Sequence, residues 1–227
     1  MNFNIAIDGP AGAGKSTIAK LLAKDLNYIY LDTGAMYRAM SYYFIKNGMD
    51  YTNEELVVNN LDKIDISFSY NNGVQEMYLN SENISGKIRT EECSKAASSV
   101  SRYLPVRERL VKMQQDFAKN NNVIMDGRDI GTVVLPNANL KIFLTASVES
   151  RAKRRYEELK EKGEDVNLAD IEKDIAARDY QDMHRENSPL KCADDAITLD
   201  TTDMTIEEEV AFIKKKMEEK LNEVPIE

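Results

Sequence analysis

Phe3-Asn4-Ile5-Ala6-Ile7-Asp8 is a short, largely apolar run of the kind that forms a buried strand, and it leads directly into Gly9-Pro10-Ala11-Gly12-Ala13-Gly14-Lys15-Ser16-Thr17. Gly9, four residues, then Gly14-Lys15-Ser16 is the pattern of a phosphate-binding loop. Glycines let the backbone curl until successive N–H groups point at one anion. A helix beginning near Lys15 adds the positive end of its dipole at the same place. In such a loop the lysine ammonium reaches the β- and γ-phosphates of a nucleotide and the serine hydroxyl a Mg²⁺ ion, the roles expected of Lys15 and Ser16. A glycine-rich turn used only for tight packing has no need of an ammonium beside three glycines. A dinucleotide-binding loop would require a third glycine where Thr17 stands.

The rest of the chain alternates in the way this opening demands. Further β-rich apolar runs fall at 28–31, 123–125, 140–144 and 196–199, and helical patterns at 15–26, 35–46, 54–61, 105–119, 147–160, 168–185 and 205–221 separate most of them. Strands and helices in alternation imply a parallel sheet covered by helices. Pro105 suits a first helical position, followed by Val106, Leu110, Met113 and Phe117 at helical spacing. Thr205 with Glu208 has the form of a capping box. One stretch departs from the pattern. Ile64, Ile66 and Phe68 alternate with polar residues, Asn71-Asn72-Gly73 predicts a hairpin turn, and 74–79 predicts a second strand, with a third expected around Ile84. A small antiparallel sheet is therefore inserted at about 62–86. The segment 161–167, with Gly163, lies between two charged helices and reads as a mobile tip.

With 227 residues, 42% of them hydrophobic, the chain can build one sizeable core and a small insert. No apolar run is long enough to cross a bilayer, so a soluble, cytoplasmic protein without a membrane partner is expected. Cys93 and Cys192 are far apart and predict neither a disulfide framework nor a zinc site. His184 is the single histidine, and an exposed helix position is its simplest reading. The net charge of −9 argues against nucleic acid as a partner. Yet all eleven arginines fall between Arg38 and Arg185. Arginine suits bidentate phosphate recognition, so this middle segment is where a small, highly charged substrate would bind.

Three constellations stand out in that segment. Leu31-Asp32-Thr33-Gly34-Ala35-Met36-Tyr37-Arg38 ends the second strand, at the sheet edge where ligands bind in open α/β folds. Thr33 there serves either as a helix N-cap or as a ligand contact. Asp126-Gly127-Arg128-Asp129 follows the strand at 123–125 and resembles the second nucleotide motif of phosphate-loop proteins. Adjacent residues rarely face one another, so Arg128 and Asp129 are expected to make separate ligand contacts rather than an ion pair. Arg178, Asp182 and Arg185 share one helix face, as either a solvated salt-bridge ladder or a ligand-binding row. Arg151 and Arg155, one turn apart, precede the mobile tip.

Taken together, Gly9–Thr17, Leu31–Arg38, Gly127-Arg128-Asp129-Ile130-Gly131-Thr132-Val133-Val134, and Arg178 with Asp182 and Arg185 before Ser188-Pro189-Leu190 resemble the bacterial cytidylate kinases over nearly the whole chain. These are nucleoside monophosphate kinases of the phosphate-loop class. The resemblance implies an α/β fold with a five-stranded parallel sheet flanked by helices, a small inserted antiparallel β subdomain in the acceptor-binding region and a short mobile lid. It divides a single kinase unit into a core at about 1–34, 99–150 and 186–227, an acceptor region at 35–98 and a lid at 151–185. ATP would lie on Gly9, Pro10, Ala11, Gly12, Ala13, Gly14, Lys15, Ser16 and Thr17, with Mg²⁺ at Ser16. Arg38, Arg128 and Arg185 look like clamps on the CMP phosphate. Ser98, Arg107 and Asp129 resemble readers of the cytosine, Arg178 and Asp182 contacts to the ribose hydroxyls, and Thr33 a further acceptor contact. Lys15, Arg155 and Arg185 are the expected catalytic cations. The activity implied is transfer of the γ-phosphoryl of ATP to CMP or dCMP by a monomer acting on small molecules. Two other phosphate-loop functions fit less well. A kinase acting on an alcohol could use Asp32 to orient the hydroxyl but would leave Arg38, Arg128 and Arg185 without a role, and no Asn-Lys-x-Asp, Thr-Lys-x-Asp or Asp-x-x-Gly motif of a guanine-nucleotide switch occurs.

Overall fold

The computed structural model describes residues 2–222. In chain order, β1 (Ile5–Asp8) is followed by α1 (Lys15–Leu26), β2 (Ile29–Asp32), α2 (Thr33–Lys46), α3 (Glu54–Asn60), β3 (Ile66–Asn71), β4 (Val74–Leu79), the two-residue β5 (Glu82–Asn83), α4 (Glu91–Val100) and α5 (Leu104–Ala118). The second half runs β6 (Val123–Gly127), β7 (Leu140–Thr145), α6 (Val148–Glu161), α7 (Leu168–His184), β8 (Ile197–Asp200) and α8 (Ile206–Asn222).

Five strands pair in the order β2-β6-β1-β7-β8, every pairing parallel. Parallel strands need helical crossovers, and the helices cover both faces. The strands therefore carry apolar side chains on both sides. Ile5 and Ile7 of β1 join α1 and α8 in one cluster with Ile18, Leu22, Leu144 and Ile213, while Ala6 joins α2 and α5 in the other with Met36, Phe44 and Leu110. Phe44 is fully buried, and burial of such a side chain contributes about 1.5–3 kcal/mol.

The inserted sheet has the order β3-β4-β5, with Asn72 and Gly73 at positive φ making the two-residue hairpin turn that the sequence predicts. Ile84 follows its third strand directly and is fully buried. The insert is not a separate body. Ile66, Met77, Leu79 and Ile84 belong to the same cluster as α2, and the Phe68 ring meets Phe117 of α5 at 5.1 Å. Two side chains also dock the hairpin on the open edge of β2. Gln75 Oε1 accepts from the Asp32 N–H at 2.7 Å and the Tyr70 hydroxyl donates to the Tyr30 carbonyl at 3.0 Å.

Observed helix ends lie within two residues of those expected. The capping box is present, the Thr205 N–H donating to Glu208 at 2.8 Å and the Glu208 N–H to the Thr205 hydroxyl at 3.3 Å. Two readings are corrected. Thr33 is not the cap of α2: Asp32 holds that position, accepting from the Ala35 N–H at 2.8 Å, and Thr33 is the first helical residue. Helix α4 is an element the sequence pattern does not predict, because its buried face is made of small, weakly hydrophobic residues, Cys93, Ala96, Ala97 and Val100. The turn between α6 and α7 has Gly163 at φ 78° and Asn167 as the cap of α7. His184 is exposed and stacks on Tyr180, and both cysteines are free. No helix of the described residues is long and apolar enough to cross a membrane.

Candidate active site

Because the five strands are parallel, their carboxyl ends share one edge, and Asp8, Asp32 and Asp126 all arrive there. The glycine loop between β1 and α1 closes over this edge. Gly9 passes so near β7 that a Cβ would stand 2.1 Å from the Leu144 carbonyl oxygen, which no side chain could accommodate. Gly14 caps α1 at φ 81°, in the left-handed region that favours glycine. The Lys15 ammonium is buried and donates to the Pro10 carbonyl at 2.6 Å. Burial, then the neighbouring Arg128, holds it well below the usual lysine range.

Ser16 Oγ donates to Asp126 at 2.7 Å, and the Tyr30 hydroxyl donates to the other Asp126 oxygen at 2.8 Å. Burial, then Asp32, pushes the Asp126 carboxyl up. Thr33 Oγ1 donates to the Asp126 carbonyl at 2.6 Å, joining the start of α2 to β6. Asp8 accepts from the backbone N–H groups of Ile130 and Gly131 at 2.8 and 2.7 Å, which fixes the turn after β6, and burial pushes its carboxyl up to about 6.

The loop floors a cleft of about 690 Å³, into which five arginines converge from α2, α5, the end of β6 and α7. Arg38 donates to Asp32 at 3.0 Å. Arg107 pairs with Asp129 and also donates to the Ser101 carbonyl at 3.0 Å. Arg128 donates to Asp182 at 2.7 Å, and Arg185 donates to the Ser188 carbonyl at 2.8 Å while lying 3.6 Å from Asp129. Arg178 is half-buried beside Arg128, and burial, then that neighbour, lowers its pKa. These pairings leave N–H groups over. Arg38 Nε, Arg107 Nε, Arg178 Nε and Arg185 NH2 are all buried without a hydrogen-bond partner among the described residues. Buried donors are normally satisfied, so four orphaned guanidinium nitrogens on one cleft mark a place built for anions.

Every site residue expected from the sequence lines this cleft except Gly9 and Pro10, which are buried at the start of the loop. Arg128 and Asp129 do not pair with each other: Arg128 pairs with Asp182 and Asp129 with Arg107. The i, i+4 ladder is not formed as a solvated face, because Asp182 is buried and its partner is Arg128 of another element. Ser98 accepts from Gln181 of α7 at 2.7 Å, and Arg155 spans from Glu158 at 2.8 Å to Glu91 of α4 at 3.5 Å. Arg151 lines the cleft and ties its elements together. Its guanidinium donates to the Ala11 and Ala146 carbonyls, both at 2.9 Å, and pairs with Asp179 at 2.6 Å, which pins the glycine loop from above. Asp126 is the residue left out of the expected site set. Its place after an apolar strand was the available signal, and the contact with Ser16 gives it a role.

The family model for cytidylate kinase matches residues 5–219. The cytidylate kinase of Lactobacillus johnsonii is 53% identical over 96% of this chain and 95% of its own length. That of Caldicellulosiruptor bescii is 56% identical over 91% of each chain. An uncharacterised protein from Eubacterium ventriosum, of known structure, superposes with a TM-score of 0.50 at 13% identity over 96% of this chain and 99% of its own, a likeness of fold alone. A phosphate loop facing a pocket of unsatisfied arginines, carried on a chain that matches this family almost from end to end, makes the protein a kinase belonging to the cytidylate kinase family.

Proposed function

We propose that this kinase transfers the γ-phosphoryl group of ATP to the phosphate of CMP or dCMP, acting as a cytoplasmic monomer. An acceptor phosphate oxygen attacks the γ-phosphorus in line, the bond from that phosphorus to the β-phosphate oxygen breaks, and CDP or dCDP leaves with ADP. The observation that carries this reading is the set of orphaned arginine nitrogens opposite the glycine loop. An acceptor that is already an anion needs charge neutralisation and positioning, and it needs no general base. Asp32, the residue an alcohol acceptor would require, is engaged as the cap of α2 and the partner of Arg38, which favours the phosphate acceptor.

In this reading residues 9–17 hold the ATP phosphates, with the Lys15 ammonium exchanging its Pro10 carbonyl for phosphate oxygens. Arg38, Arg128 and Arg185 clamp the CMP phosphate. Ser98, Arg107 and Asp129 face the cytosine, where a carboxylate accepts from the exocyclic amine and an arginine or hydroxyl donates to the ring acceptors. Arg178 and Asp182 take the ribose hydroxyls, and Thr33 adds a hydroxyl near the acceptor. Arg155 and Arg185 supply positive charge as water is excluded by a lid formed from α6 and α7. The Ser16 hydroxyl and Asp126 carboxylate are hard oxygen donors of the kind that hold Mg²⁺ beside substrate phosphates, and Mg²⁺ bound there would neutralise charge on the transferred group. The test is ADP release from ATP and Mg²⁺ with separate monophosphates. CMP and dCMP should react far faster than AMP or GMP, with UMP intermediate or poor, and equal rates with AMP would refute the cytosine assignment.

A further inference from the structure

The transfer step leaves one cleft carboxylate without a use. Glu209, in the first turn of α8, lines the cleft yet is only 3% exposed. It occupies the first rung of a buried stripe continued by Ile213 and Met217, where packing alone would favour an apolar side chain. Its Oε2 is buried and has no hydrogen-bond partner among the described residues. Arg154 is the cation whose field acts on it, but that guanidinium donates to the Thr201 carbonyl at 2.6 Å. The other carboxylates of the cleft, Asp32, Asp126, Asp129, Asp182 and Glu158, are each hydrogen-bonded or ion-paired. Burial pushes the Glu209 carboxyl up to about 7. A buried, unpaired carboxyl oxygen costs stability and calls for a partner.

Sheet order says which ligand can supply it. Of the proposed acceptor residues, Thr33, Arg38, Arg128 and Asp129 follow the ends of β2 and β6, on one side of β1 and its glycine loop. The connection from β8 to α8, with Thr205, Ile206 and Glu209 on the cleft wall, lies on the other side, beyond β7. A donor whose phosphates rest on the loop and whose acceptor lies toward β2 has to extend its nucleoside toward β8. We infer that Glu209 is a specificity residue for the phosphoryl donor, accepting a hydrogen bond from the exocyclic amine of an amino-substituted base such as adenine and disfavouring bases with a carbonyl oxygen there. This rests on the reading of ATP as donor. A site built around a hydrogen bond rejects the analogue that lacks it, because its own polar group is then left unpaired.

The experiment compares kcat/KM for ATP and ITP, which differ in amine against carbonyl at the same ring position, at saturating CMP and about pH 8.5, where the carboxyl is ionised. Wild type should prefer ATP by about tenfold or more. Glu209→Val should bring the ratio close to one by losing ATP efficiency, with a thermal midpoint no lower than wild type. The near-isosteric Glu209→Gln, which presents both a donor and an acceptor, should narrow the ratio by gaining efficiency with ITP. An unchanged ratio in both variants, or a wild type indifferent to the two donors, would overturn the inference while leaving ATP as donor. Failure of both donors to phosphorylate CMP in wild type would overturn the proposed function and this inference with it.

Discussion

Asp129→Asn probes the electrostatic balance of the arginine-lined cleft. The carboxylate is buried, pairs with Arg107, whose side chain is 4% exposed, and lies 3.6 Å from Arg185, equally buried. Asparagine keeps the shape and can accept one N–H bond, but it removes the negative charge between two buried guanidiniums. Breaking one side of a buried pair costs about 3 kcal/mol or more, because the remaining charge is left uncompensated. At roughly 2–4 °C per kcal/mol for a chain of this size, the thermal midpoint should fall by about 6–12 °C. The exposed pair of Asp116 with Lys112 and Lys119 supplies the control, and Asp116→Asn should barely move the midpoint. Scanning calorimetry of both variants without nucleotide decides the matter. A loss at Asp129→Asn no larger than the control would show that the arginines do not depend on Asp129, and the argument from unsatisfied guanidinium nitrogens would fail with it.

Lys15→Met should lower kcat by at least about 100-fold with an unchanged circular dichroism spectrum and melting cooperativity, since in the proposed reaction the ammonium stabilises charge on the transferred group. Asp8 has a folded-state pKa of about 6 against an ordinary 3.8, so the folded protein binds the proton more tightly than the unfolded chain and stability from this group rises as pH falls from about 7 toward 4. The offset of about two units is worth roughly 3 kcal/mol over the whole range, and the midpoint of wild type relative to Asp8→Asn should therefore improve as pH is lowered from about 7 to 5; a constant difference would place the Asp8 pKa at its ordinary value. Hydrogen exchange over 159–168 should slow clearly when CMP and a non-hydrolysable ATP analogue bind together, and no change would make the tip between α6 and α7 a static loop.

What the sequence reveals divides by range. Strand β1, the glycine loop and α1 are written in nine consecutive residues and their apolar flanks, and the hairpin at Asn72-Gly73 is a local turn signal between alternating runs. Helix α4 escaped because its buried stripe is alanine and cysteine, too weakly hydrophobic to stand out, although Thr90 as cap and Glu91 and Glu92 in the first turn mark its start. Partners set by topology were out of reach. Arg128 and Asp182 are 54 residues apart, and nothing in a single sequence tells that α7 returns over the end of β6. The same limit hid the contact of Ser16 with Asp126, which depends on β6 lying beside β1. Arg151 and Asp182 illustrate the same gap, each a charge on a helix with a partner, the Ala11 carbonyl and Arg128, on a distant element.

The central claim is that this site phosphorylates cytidine monophosphates. Its most direct test is a single competition, in which CMP, UMP, AMP and GMP at equal concentration share limiting ATP and Mg²⁺ and the nucleoside diphosphates formed are separated by chromatography. Product ratios then report relative kcat/KM without separate kinetic constants. The account predicts CDP as the dominant new diphosphate, with ADP formed in the same molar amount from the donor. Formation of GDP or UDP in amounts equal to CDP, or an excess of ADP over the other diphosphates with AMP consumed, would contradict it.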